Sequence, residues 1–187
     1  MSTADHSDGT RVLVCYASSE GQTATIADRM RAVLEREGDA VDRVDLAAVP
    51  ADLDVGSYDG VVVGASIHRG SHQRNATAFV RSHRETLNRL PSAFFSVSLT
   101  AAHDAPEDRR PATDLLEAFL AETGWNPDTT LSVAGALKYS EYGLLTRFVM
   151  RHIAGKTGRD TDTSRDYEYT DWDDVEAFTL EFATRVA

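Results

Sequence analysis

Lysine is nearly absent from this chain. Lys138 and Lys156 are the only two among 19 lysines and arginines, against 30 acidic residues and a formal net charge of -11. That balance excludes a nucleic-acid binder, whose phosphate contacts require a basic footprint. Cysteine is scarcer still. Cys15 stands alone inside an apolar run, so no intrachain disulfide framework exists and the compartment reads as cytoplasmic. No apolar stretch is long enough to span a bilayer. The opening "MSTADHSDGT" lacks the basic and apolar regions of a secretory signal, and 1–10 reads as a disordered acidic tail. No G-x-G-x-x-G follows a strand pattern, and the "GKT" at 155–157 has Met150 where a phosphate-binding P-loop needs its first glycine. The histidines at 68, 72, 83, 103 and 152 share no metal-ligand spacing on one element.

What is present alternates. At 187 residues, 42% hydrophobic and 26% charged, residues 11–187 read as one globular domain. Apolar runs at Arg11–Tyr16, Val61–Val63, "SAFFSVSL" and Thr129–Ala134 predict strands, with a weaker alternating one at Ala40–Asp45. Helical spacing separates them at Gln22–Glu37, Asn75–Arg89 and Pro111–Thr123, and a last helix covers Asp173–Arg185, capped by Thr170 or Asp171. Strands joined by helix-length segments predict right-handed crossovers and a doubly wound parallel sheet with helices on both faces. Ligands in such folds bind at the carboxyl ends of the strands. The loops that matter are then 17–23, 66–71, 98–104 and 135–143. Aspartate-rich, lysine-poor composition also matches salt-accumulating halophiles, whose salt screens dense carboxylates. An ordinary acidic cytosolic protein would share it.

The first loop carries the clearest chemistry. Ser18-Ser19-Glu20-Gly21-Gln22-Thr23 leaves a strand and enters a helix N-terminus, where backbone N–H groups and the helix dipole favour an anion. Ser18, Ser19 and Thr23 add hydroxyl donors, and no cation lies in the loop. This suits a phosphate held by neutral donors and does not suit a nucleoside triphosphate with Mg²⁺. A plain capped turn would use the same residues.

The blocks "SSEGQT", "VVVGASIHRGSH", "LPSAFFSVSL", "AGALKYSEYG" and "YTDWDDVEAFTLEFA" together resemble the flavodoxin-like, quinone-dependent protoporphyrinogen IX dehydrogenase (oxidase) family, from Val12 to about Ala183. The resemblance implies a flavodoxin-like three-layer sandwich with a five-stranded parallel sheet in order 2-1-3-4-5, and FMN as cofactor. Ser18, Ser19, Glu20, Gly21, Gln22 and Thr23 would surround its phosphate, with the acid of Glu20 not itself a ligand. Ser66, Ile67 and His68 would lie on one side of the flavin ring, and Ser98, Leu99, Thr100 and Ala101 on the other. Gly135, Ala136, Leu137 and Tyr139 would complete the pocket. The implied reaction oxidises protoporphyrinogen IX to protoporphyrin IX with a quinone acceptor, in haem biosynthesis. Arg69, Arg74, Lys138 and Arg147 are candidates for the porphyrinogen propionates, although each could equally be a solvated charge. His68 is a candidate to polarise the flavin or relay a proton.

One stretch departs from the acidic background. Residues 138–159 contain Lys138, Arg147, Arg151, Lys156 and Arg159 against Glu141 alone. Leu144, Leu145, Phe148 and Val149 share a helical face there. Such an insertion, about 138–165, reads as a surface for membrane or substrate contact, or as an apolar face packed on the core. Two other readings share the fold: a flavodoxin-type electron carrier and an NAD(P)H:quinone oxidoreductase. A domain that has lost FMN and serves as a partner is a third.

Overall fold

A computed structural model describes residues 9–99, 101, 106–137 and 167–187 of the chain. Tail residues 1–8 and the basic stretch 138–165 lie outside the described residues. The elements are β1 (Arg11–Ala17), α1 (Gln22–Glu37), β2 (Ala40–Asp45), a 3₁₀ turn (Val55–Ser57), β3 (Gly60–His68), β4 (Ser71–His72), α2 (Arg74–Leu87) and β5 (Ser92–Ser98). Then come α3 (Pro106–Thr123), β6 (Thr129–Ala134), β7 (Ala136–Leu137), β8 (Tyr167–Glu168) and α4 (Trp172–Val186). The main sheet runs β2-β1-β3-β5-β6 with β4 paired to β3. Its five long strands are all parallel, which is the 2-1-3-4-5 order in strand sequence. A small antiparallel ribbon, β7 with β8, stands apart.

Alternation along β1 explains the three layers. Leu13, Cys15 and Ala17 join Val61, Val63, Ala65 and Phe94 on the face covered by Phe79 and Val80 of α2 and Leu116 and Phe119 of α3. Val12, Val14 and Tyr16 join Val62, Phe95 and Val133 on the face covered by α1 and α4. Successive strand residues point to opposite faces, so a strand covered on both must be apolar throughout. β5 is buried over its whole length. Its first residue also anchors Trp125, whose Nε1 donates to the Ser92 hydroxyl at 3.1 Å while that hydroxyl donates to the Leu87 carbonyl at 2.9 Å. The outer helices are joined by Glu176 of α4, which accepts from Arg29 and Arg36 of α1 at 2.7 and 2.8 Å.

Two boundaries differ by a helical turn or more from those read in the sequence, and one cap left open there is decided. β3 does not stop after Val63 but continues to His68, because Arg69 and Gly70 (φ 52° and 81°) make a two-residue turn that folds the chain back as β4. Paired positive φ values at a hairpin tip match the right-handed strand twist. α3 starts at Pro106, and Pro111 lies within it, where its missing N–H forfeits one helical bond. Asp171, not Thr170, caps α4, accepting from the N–H groups of Asp173 and Asp174 at 3.0 and 3.1 Å.

Gly64 sits opposite Phe95 in the β3–β5 register, and a Cβ there would lie 1.9 Å from the Phe95 ring. The ring therefore lies across the strand where no side chain can stand. Gly64→Ala is expected to lose about 2–3 kcal/mol in urea unfolding through overpacking. Adding Phe95→Leu should restore part of that loss.

Candidate functional site

Strand register brings four loops to one edge. Ala17 pairs with Ala65, Ser66 with Val97, and Ser98 with Ala134. β1, β5 and β6 thus end at the same level that β3 passes at Ser66, and the loops after them emerge side by side.

At the first loop, Gly21 is the N-cap of α1 in the left-handed conformation (φ 82°) and supplies no side-chain cap. Its own N–H donates to the Ser18 hydroxyl at 2.9 Å, and its carbonyl accepts from the N–H of Thr25 at 3.0 Å. The helix begins with the partial positive charge of its first-turn N–H groups directed at the loop. Thr23, 1% exposed, holds a buried hydroxyl that has no hydrogen-bond partner among the described residues. A buried hydroxyl without a partner costs on the order of 1–3 kcal/mol, a cost that a ligand oxygen would offset. No cation lies in the loop, so its donors are dipoles and hydroxyls. That donor set fits a phosphate.

Two side-chain contacts that sequence reasoning missed tie the loop in place. Gln73, between β4 and α2, donates from Nε2 to the Ser19 hydroxyl at 2.6 Å and to the Ser66 hydroxyl at 2.8 Å. Thr170 accepts from Gln22 Nε2 at 2.8 Å and donates to the Ala134 carbonyl at 2.9 Å. The loop is therefore linked to the ends of both β3 and β6. The sequence marks Thr170 only as a cap candidate, and it does not mark Gln73, because the helix there reads as starting at Asn75.

The remaining predicted residues fall as follows. Ser66 and Ile67 are half-buried at the end of β3, and His68, Arg69 and Arg74 are exposed around the hairpin. Ser98 is buried, and its hydroxyl accepts from the Ala101 N–H at 3.2 Å. Leu99 continues from β5. Gly135 donates its N–H to the Ser98 carbonyl at 3.0 Å and accepts from the Tyr169 N–H at 3.3 Å. Ala136 and Leu137 form β7. Thr100, Lys138, Tyr139 and Arg147 lie outside the described residues. Glu20 is half-buried within the first loop. No group of His, Cys, Asp and Glu that could hold a metal occurs among the described residues.

The fold and this loop edge define a class. A family model described as a flavodoxin domain matches residues 13–164, and the chain belongs to that family. Within it, the chain groups with the quinone-dependent protoporphyrinogen IX dehydrogenases. It is 36% identical over 174 residues to the Escherichia coli K12 protein named protoporphyrinogen IX dehydrogenase [quinone], covering 92% of this chain and 94% of that one. A Leishmania major protein of the same name is 35% identical over 184 residues, covering 95% and 76%. In shape the chain is similar to oxidised flavodoxin 1 from Bacillus cereus, with a TM-score of 0.59, 19% identity, and 95% and 100% of the two chains covered. No helix among the described residues is long and apolar enough to cross a membrane.

Beneath the hairpin lies a buried base. His72 is 8% exposed, its Nε2 sits 2.8 Å from the Ser96 hydroxyl, and its ring packs against Phe94 and Phe119. Burial pushes its pKa down to about 4, so the ring is neutral at pH 7. The unfolded histidine titrates near 6.5, and between the two values the unfolded state binds more protons. Stability is therefore unaffected above about pH 6.5 and declines as pH falls toward 4, by a total on the order of 3 kcal/mol. Unfolding of wild type and His72→Gln between pH 7.5 and 4 should give a shallower acid slope for the variant.

Proposed function

We propose that the chain is an FMN-dependent protoporphyrinogen IX dehydrogenase that passes electrons to a quinone. The observation that carries this reading is 36% identity over nearly the whole length to a protein of that name. The cation-free phosphate loop, with a buried hydroxyl at its helix that has no partner among the described residues, supports FMN over a triphosphate. Residues 11–187 act as one flavodoxin-like unit, with a short acidic tail before it.

Ser18, Ser19, Gly21, Gln22 and Thr23 would hold the phosphate through hydroxyls, backbone N–H groups and the α1 dipole. Ser66, Ile67 and His68 would flank the ring from the β3 end, and Ser98–Ala101 from the β5 end. Gly135–Tyr139 would close the pocket. Bound FMN supplies the two-electron chemistry. The protein's share is to fix the substrate against it and to steer charge. Arg69 and Arg74, exposed on the hairpin side, would pair with porphyrinogen propionates, joined by Lys138 and Arg147. His68 would polarise the flavin or carry a proton at the pocket mouth. The basic segment 138–165, net positive in a chain of -11, would meet the cytoplasmic face of a membrane, where the quinone resides. The acidic remainder fits a halophilic cytosol.

FMN-loaded protein mixed with protoporphyrinogen IX without oxygen should lose its flavin absorbance, and a quinone should restore it. Bleaching by NAD(P)H alone would make the chain an NAD(P)H:quinone oxidoreductase, and bleaching by neither donor would make it an electron carrier. Thr23→Val tests the loop separately. It should leave the flavin-free protein more stable by about 1 kcal/mol, while weakening FMN binding about fivefold.

A further inference from the structure

The donor arrangement around Gln73 has a direction. An amide nitrogen carries two hydrogens and no lone pair for accepting, whereas a serine hydroxyl donates one hydrogen and accepts on its oxygen. Gln73 Nε2 lies 2.6 Å from Ser19 Oγ and 2.8 Å from Ser66 Oγ, so both amide hydrogens are committed and both hydroxyl oxygens are acceptors. Neither serine hydroxyl donates to any group among the described residues. The Gln73 side chain makes no cap to its own helix. Its backbone carbonyl serves α2 by accepting from the Thr77 N–H at 3.2 Å.

We propose that Gln73 is a positioning residue that turns the hydroxyl hydrogens of Ser19 and Ser66 outward as donors to an anionic or acceptor-rich ligand. The inference rests on the FMN reading and deepens it: Ser19 is aimed at the phosphate and Ser66 at the ring side. Donation into an oxygen also strengthens that hydroxyl as a donor in turn. In a loop with no cation, this supplies directed polarity where charge is missing. The same amide spans 54 residues of sequence to Ser19, so it also holds the phosphate loop against β3. A carboxylate at 73 would reverse the direction, because it can only accept and would draw both hydroxyl hydrogens toward itself.

The test titrates the full chain, freed of flavin, with FMN and with riboflavin, which lacks the phosphate. Gln73→Glu and Gln73→Met are compared with wild type, alone and combined with Ser19→Ala, following flavin fluorescence. Gln73→Glu should weaken FMN about tenfold and riboflavin much less, and Gln73→Met should shift the ratio the same way by a smaller factor. The loss caused by Ser19→Ala should shrink in either Gln73 background, a coupling that added charge alone does not produce. Retained riboflavin binding shows that each variant is folded. If both variants keep the wild-type ratio of FMN to riboflavin affinity, the proposal fails while the FMN reading stands. If wild type itself shows no preference for FMN over riboflavin, the FMN reading fails and takes the proposal with it.

Discussion

The loop 18–23 has no cation, so the positive potential it can offer an anion comes from dipoles and hydroxyls alone. The surrounding structure bears on that constraint. The α1 dipole, left-handed Gly21 and the hydroxyls of Ser18, Ser19 and Thr23 are fixed partial charges, effective only if they are aimed. Aiming them requires the loop to be tied down, which Gln73 does from β3 and Thr170 from β6. Those ties in turn require strand ends that coincide, which the parallel register provides. Close packing inside the sheet holds that register. With Phe95 lying over Gly64, β3 and β5 cannot slip by a residue without driving a ring into a side chain.

Much of this was legible before the fold was known. The apolar runs of β1, β3 and β5 predicted strands of a sheet covered on both faces, and the family resemblance implied their order. The loop 18–23 announced its donors by composition and by its place between a strand and a helix. What periodicity could not reach were contacts that pair distant residues. Gln73 with Ser19 and Thr170 with Gln22 are separated by 54 and 148 residues, and nothing local in either segment records the partner. The continuation of β3 to His68 was hidden for a different reason. Ser66, His68 and Ser71 are polar, and the turn at Arg69 places a non-glycine residue at positive φ, so the segment read as loop. The ambiguity between Thr170 and Asp171 was real in sequence. It resolved because the carboxylate reaches two free N–H groups while the threonine hydroxyl is taken by β6 and Gln22.

The charge pattern has a structural counterpart on the surface. Among the described residues, which include neither lysine, the ion pairs are made by arginine and are mostly exposed. Individually such pairs contribute little. Glu176 is the exception in arrangement, since Arg36 and then Arg29 hold its carboxyl below the usual range while it bridges two helices. The double contact belongs to the carboxylate, each of whose oxygens accepts from the Nη2 of one arginine.

Cys15 lies at the centre of β1 with no exposure, and burial pushes its thiol well above the usual range. The nucleophilic form of cysteine is the thiolate, which this position both shields and suppresses. A molecule that transfers electrons thus carries its single sulfhydryl where core side chains keep peroxide, quinone electrophiles and alkylating reagents from reaching it. It can cycle between oxidised and reduced partners with no thiol chemistry running in parallel and no covalent dimer forming through that sulfur.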